Sequence, residues 1–128
     1  MHEINEELLE LPEVLVEQLI CKQLLNPLYI EHSIFIQQHF NKAWFKNDNY
    51  KIIYTLLSNY WIKYNSEPTK EILLHILSND KFKEQKDKLV SHINTLYDID
   101  ESKYDKKFLQ DTLINYTKRK SDVFCYIR

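Results

Sequence analysis

The chain has 128 residues, 44% of them hydrophobic and 13% aromatic, with a formal net charge of −2. This is too apolar for disorder as a default, long enough for one sizeable core, and not basic enough to make the whole chain a nucleic-acid binder. Glycine is absent altogether, which excludes a phosphate-cradling loop, a dinucleotide fingerprint and a nucleophile elbow, and disfavours tight hairpins, so the expected class is all-α.

In chain order, residues 1–14 read as an acidic arm. Glu3, Glu6, Glu7, Glu10, Glu13 and Glu17 form a run without Lys or Arg, expected as a solvated face, and an acidic start is no ordinary secretory signal. Pro12 suits a first helical turn, and Leu15, Val16, Leu19, Ile20 and Leu24 give that helix an apolar stripe up to Asn26-Pro27. A second helix is expected over 28–40, with Ile30, Ile34 and Phe35 spaced for burial. Residues 41–49 read as a loop with Trp44 and Phe45 turned onto the core. Asn47 or Asp48 caps a third helix over 50–64, with Ile53, Leu57, Tyr60 and Tyr64 on one face and Tyr50, Tyr54 and Trp61 beside them. Thr69 caps a short fourth helix carrying Ile72, Leu73, Ile76 and Leu77. A charged helix follows with Phe82, Leu89, Ile93 and Leu96 inward, then a polar loop over 98–102. The last helix starts near Tyr104, and its apolar stripe still runs at Arg128 with neither breaker nor cap. The expectation is a compact bundle of five to six helices, cut from the N-terminal part of something longer.

Candidate chemistry is sparse. His32 and His39 are seven apart, but two ligands do not make a zinc site, and neither Cys21 nor Cys125 lies near a histidine in sequence. His75 and His92 are expected at the surface or half-buried. The two cysteines fit reduced thiols better than a disulfide scaffold. The aromatics of residues 44–64 follow helical spacing with few lysines among them, which favours core packing over a platform for stacked bases. No apolar run reaches the roughly 18 residues of a membrane span. Residues 103–128 hold seven basic side chains, read as a solvated face more readily than as a phosphate-binding one.

Three stretches carry a resemblance. "EQLICKQLLNPLYI" (17–30), "FKNDNYKIIYTLLSNYWIKYNSEPT" (45–69) and "YDKKFLQDTLINYTKRKSDVF" (104–124) together resemble the N-terminal domain of replicative hexameric DNA helicases of the DnaB family, in particular its tailed-phage branch. After the acidic arm at 1–14, the resemblance implies the helical helicase domain at 15–102 and the start of a helical hairpin or linker, cut short, at 103–128. It implies a domain without catalytic residues or cofactor of its own, with ATP and Mg belonging to a motor domain farther along the parent helicase. It also implies self-association as a dimer or trimer of dimers, docking of primase or a helicase loader, weak or indirect DNA contact, and a bacterial cytoplasm as the setting, with a phage gene as one source. The acidic arm and the tyrosine richness depart from the bacterial members.

An apolar stripe wider than its own domain covers needs another surface, and symmetric self-association is the commonest solution. Phe108, Leu109, Leu113, Tyr116, Val123 and Phe124 are therefore the candidate contact, with the domain's own core as the alternative for the first four. Other readings stay open: a helicase-binding C-terminal domain of a primase, a stand-alone phage interaction protein, a phage enzyme built on helix-borne carboxylates and histidines, and a single-strand binder using the basic last helix.

Overall fold

The computed structural model describes residues 11–127, with side chains described through residue 121. Six α-helices are found among them: α1 (Glu13–Leu25), α2 (Ile30–His39), α3 (Asp48–Tyr64), α4 (Lys70–Leu77), α5 (Lys86–Asp98) and α6 (Lys106–Ile127). Three short 3₁₀ turns link them at Lys42–Trp44, Asp80–Phe82 and Glu101–Lys103, and no strand occurs among the described residues. The all-α expectation holds.

The first helix is the hub. It packs against α2, α3, α5 and α6, and every residue from Leu19 to Leu25 is buried. A helix buried over so much of its length needs internal partners for its polar groups. Glu17, 0% exposed, accepts hydrogen bonds from the backbone N–H groups of Lys46 at 2.8 Å and Asn47 at 3.1 Å. It is thus a buried anchor for the loop before α3, not part of a solvated glutamate face. The preceding glutamates at 3, 6, 7 and 10 lie outside the described residues.

Helix termini leave carbonyls without intrahelical donors, and the C-terminal end of α1 lies inside the protein. Asn26 N–H reaches the Lys22 carbonyl at 2.9 Å. Ser33 Oγ–H donates to the Gln23 carbonyl, and Trp61 Nε1–H donates to that of Leu24 at 2.7 Å. One side chain from α2 and one from α3 therefore satisfy the Gln23 and Leu24 carbonyls of α1.

Helix α3 starts on Asn47, whose Oδ1 accepts from the N–H groups of Asn49 at 2.9 Å and Tyr50 at 3.1 Å. It ends on Asn65, the one described non-glycine residue with positive φ (54°). In a chain lacking glycine, asparagine takes the left-handed cap because its short polar side chain tolerates that conformation best. Thr69 caps α4, with its Oγ1 accepting from Ile72 N–H at 3.2 Å. Tyr50, Ile53, Tyr54, Leu57 and Trp61 form the buried face of α3, packed on α1 and α5. The expected aromatic face is thus narrowed: Tyr60 is half-buried and Tyr64 exposed.

Helix α2 corrects a second expectation. Its buried residues are His32, Ser33 and Ile36, while Ile30 and Ile34 are 52% and 47% exposed and Phe35 is half-buried. Docking of Ser33 onto the end of α1 turns the apolar pair outward. In α4, Leu73 and Leu77 are buried as expected but Ile72 is exposed.

Candidate interaction surface

Of the six residues proposed for self-association, the structure describes the side chains of four. Leu109, Leu113 and Tyr116 are buried in the chain's own core. Tyr116 stacks on Phe40 at 5.6 Å between ring centroids, and its hydroxyl donates to the Trp44 carbonyl at 3.1 Å. Phe108 is half-buried against Tyr104, the rings stacked at 6.0 Å. Val123 and Phe124 lie outside the residues whose side chains are described. For Leu109, Leu113 and Tyr116 the geometry is that of core packing, because α6 closes over α1 and α2 and its stripe is covered from within.

Apolar exposure falls elsewhere. Leu28 (51% exposed), Ile30 and Ile34 follow one another from the α1–α2 turn along α2; Ile30 and Ile34, four apart, share one helical face. Next to them Lys106 of α6 pairs with Glu31 and lies 4.9 Å over the Tyr29 ring. A run of large exposed aliphatics flanked by an ion pair is the composition of a protein-binding face, apolar in the middle and polar at the rim.

Beside this track a pocket of about 180 Å³ opens between the α1–α2 turn and the loop after α5, lined by Lys22, Leu28, Ile99, Asp100, Glu101 and Ser102 among others. Glu101 is 4% exposed, and neither carboxyl oxygen has a hydrogen-bond partner. Burial pushes its carboxyl up from the ordinary range, opposed by the Gln23 side chain, the Leu28 N–H and the Lys22 charge. These groups face the carboxyl, yet none closes hydrogen-bonding geometry with it; one of the two Gln23 Nε2–H donors goes to the Leu19 carbonyl at 3.1 Å. Lys22 sits 5.8 Å from the Tyr97 ring centroid, and burial draws its ammonium below its usual range. By sequence, residues 98–102 are expected as a polar loop. Nothing in that stretch distinguishes Glu101, which turns inward, from Asp100, which caps the 3₁₀ turn from outside by accepting from Ser102 N–H at 3.0 Å.

A second polar group joins three helices. Gln18 Nε2–H donates to Tyr50 Oη at 2.9 Å, His92 Nδ1 lies 3.0 Å from the same oxygen, and Asn49 Nδ2 lies 3.3 Å from His92 Nε2. With Asn49 as donor, His92 accepts through Nε2 and donates through Nδ1–H. Burial raises Tyr50 above its usual range, so its hydroxyl keeps its proton, and the group braces α1, α3 and α5.

Of the remaining candidates, His32 is buried and His39 exposed. Seven residues along a helix put them about 10 Å apart in rise, too far to share one ion. Among the described residues no group of three or more His, Cys, Asp or Glu side chains is placed to hold a metal. The Cys21 thiol is buried and pushed up by that burial, then by the Glu17 charge. His75 is exposed and His92 half-buried. Trp44, Phe45, Tyr50, Tyr54 and Trp61 are buried, so these aromatics pack the core. In the basic last helix Lys106 pairs with Glu31, and Lys120 with Glu13 at 2.6 Å. No helix among the described residues is long and apolar enough to cross a membrane.

Scans of protein-family models, of curated proteins and of solved structures give no match to this chain.

Proposed function

We propose that this chain is an interaction domain of the replicative-helicase type, which associates with itself and docks primase or a helicase loader while the ATP- and Mg-dependent motor lies outside it. The observation that supports this reading is where the three resembling stretches fall: they supply the hub helix α1, the aromatic helix α3 and the closing helix α6, and these pack on one another or on a shared neighbour. The exposed Leu28, Ile30 and Ile34 track supports a protein partner, because such a surface gains most when covered. In this reading the face that associates lies along α2, and the buried side chains of α6 hold the domain together.

The test is sedimentation velocity over a concentration series, paired with binding to the helicase-docking domain of a replicative primase. The expected result is reversible self-association in the micromolar range or saturable primase binding, either one weakened by Ile30→Ser with Ile34→Ser. A chain that stays monomeric throughout and binds neither primase nor loader overturns the reading.

A further inference from the structure

We propose that the pocket between the α1–α2 turn and residues 99–102 is a receptor for an arginine side chain of a partner protein, with the guanidinium lying on the Glu101 carboxylate and the neighbouring apolar residues of the partner resting on Leu28. A buried carboxylate with two bare oxygens is an unusual feature, because burying a charge is costly unless it is paired and hydrogen-bonded. Both oxygens of Glu101 are in that state, and its residue lines an open pocket. Two adjacent acceptors on one planar group are what the fork of a guanidinium fills with two parallel N–H donors; a lysine ammonium, a compact point charge, does not match that geometry as well.

The surroundings favour a cation. Asp98, Asp100 and Glu101 all act on Lys22, yet no ion pair joins Lys22 to Glu101 among the described residues, and its ammonium lies toward Tyr97 instead. The volume, about 180 Å³, falls below the roughly 300–1,000 Å³ of pockets for small-molecule ligands and cofactors, which suits a single side chain. Continuity with Leu28, Ile30 and Ile34 points to a polypeptide carrying that side chain, since a free guanidinium compound would leave the apolar track uncovered. The inference does not depend on the replication reading: any partner with an exposed arginine between apolar residues meets the same chemistry. The competing arrangement is internal, with a protonated Glu101 donating to Gln23 Oε1, itself buried without a partner.

The experiment is a two-dimensional amide NMR titration of the full chain at neutral pH with the peptide acetyl-Leu-Arg-Leu-amide, and in parallel with the peptide carrying citrulline, the neutral near-isostere, in place of arginine. The expected result is saturable shifts centred on Leu28, Glu101 and Ser102, with the citrulline peptide and Glu101→Gln each weakening binding about tenfold or more, as loss of a charge-assisted pair requires. Absence of saturable shifts, or equal binding of the two peptides, overturns the proposal and favours the internal Glu101–Gln23 arrangement. The peptide comparison uses the unaltered chain, so it decides even where Glu101→Gln fails to fold. Failure here leaves self-association and primase binding untouched, so the two readings fall separately.

Discussion

Helices α2 and α3 pack on the same neighbour, α1, but their sequences announce their buried faces very unequally. In α3 the apolar residues recur at three- and four-residue steps and the buried set Tyr50, Ile53, Tyr54, Leu57 and Trp61 follows them. In α2 the same kind of spacing marks Ile30 and Ile34, and those two face outward while His32 and Ser33 face inward. The difference lies in what each interface must satisfy. Helix α3 is gripped by both α1 and α5, so apolar area decides its rotation. Helix α2 meets the C-terminal end of α1, where the Gln23 carbonyl needs a donor and Ser33 supplies it. An unsatisfied buried carbonyl costs about 1–3 kcal/mol, comparable to leaving the two aliphatic side chains half exposed.

The comparison breaks most directly at Leu57, fully buried in α3. Leu57→Ala is expected to destabilise the chain by about 3 kcal/mol, from lost burial plus a residual cavity, read as a lower urea midpoint at unchanged slope. A loss below about 0.5 kcal/mol would mean that α3 is not the core helix described here.

Glu17 tests the polar half of the hub. Glu17→Gln replaces one carboxylate oxygen by an NH₂ group, so one of the two N–H groups now held, Lys46 or Asn47, loses its acceptor. The expected loss is about 2 kcal/mol by the same measurement, and a loss near zero would return Glu17 to the solvated face that its sequence context suggests. Ser33→Ala is a smaller cut at the same hub, removing the donor to the Gln23 carbonyl for about 1 kcal/mol. A paired Ser33→Ala and Ile34→Ala variant should show additive losses, because Ser33 is buried on the end of α1 while Ile34 faces outward and the two share no partner.

What the sequence makes legible follows from these examples. Element order, the Asn47 and Thr69 caps and the aromatic core come from local signals: capping oxygens, proline breaks and long apolar faces. The inward turns of Glu17, Ser33 and Glu101 do not: Glu17 answers to loop N–H groups 29 and 30 residues beyond it and Ser33 to a carbonyl ten residues back, while nothing local sets Glu101 apart from Asp100. On α6 three of the candidate contact residues turn inward for a related reason. Its stripe is long enough to suggest an outside partner, but α1, α2 and the Phe40–Trp44 segment already cover Leu109, Leu113 and Tyr116.

His32 adds a pH dependence to α2 alone. Both ring nitrogens are buried without partners. Burial lowers its pKa below 6.5, with Glu31 opposing and Lys106 reinforcing. The unfolded chain therefore binds a proton that the folded chain resists, and stability is lost as pH falls from about 6.5 through the lower folded value, with no contribution above that range. His32→Leu should flatten the fall in Tm between pH 7 and 5 relative to the unaltered chain. Glu101, whose carboxyl is raised by burial, carries the opposite sign, since its charged form strains the fold above its pKa. Glu101→Gln should therefore raise Tm at pH 7.5, and the gain should shrink toward pH 4.

The smallest stability effect sits on the face that α2 presents to solvent, and it sharpens the comparison by separating folding from association. Ile34 is 47% exposed, so Ile34→Ser removes little buried area and should change stability by no more than about 0.5 kcal/mol. Leu57→Ala in α3 costs several times that and leaves any exposed contact surface unchanged. If the α2 track is covered by a partner, Ile34→Ser should weaken association by about tenfold, since a half-covered isoleucine gains roughly 1 kcal/mol or more on full burial. A variant that loses association without losing stability assigns Ile34 to an interface. A variant that loses about 2 kcal/mol of stability and associates normally would instead put α2 in the orientation that its apolar spacing predicts, with Ser33 outward and the end of α1 capped by other means.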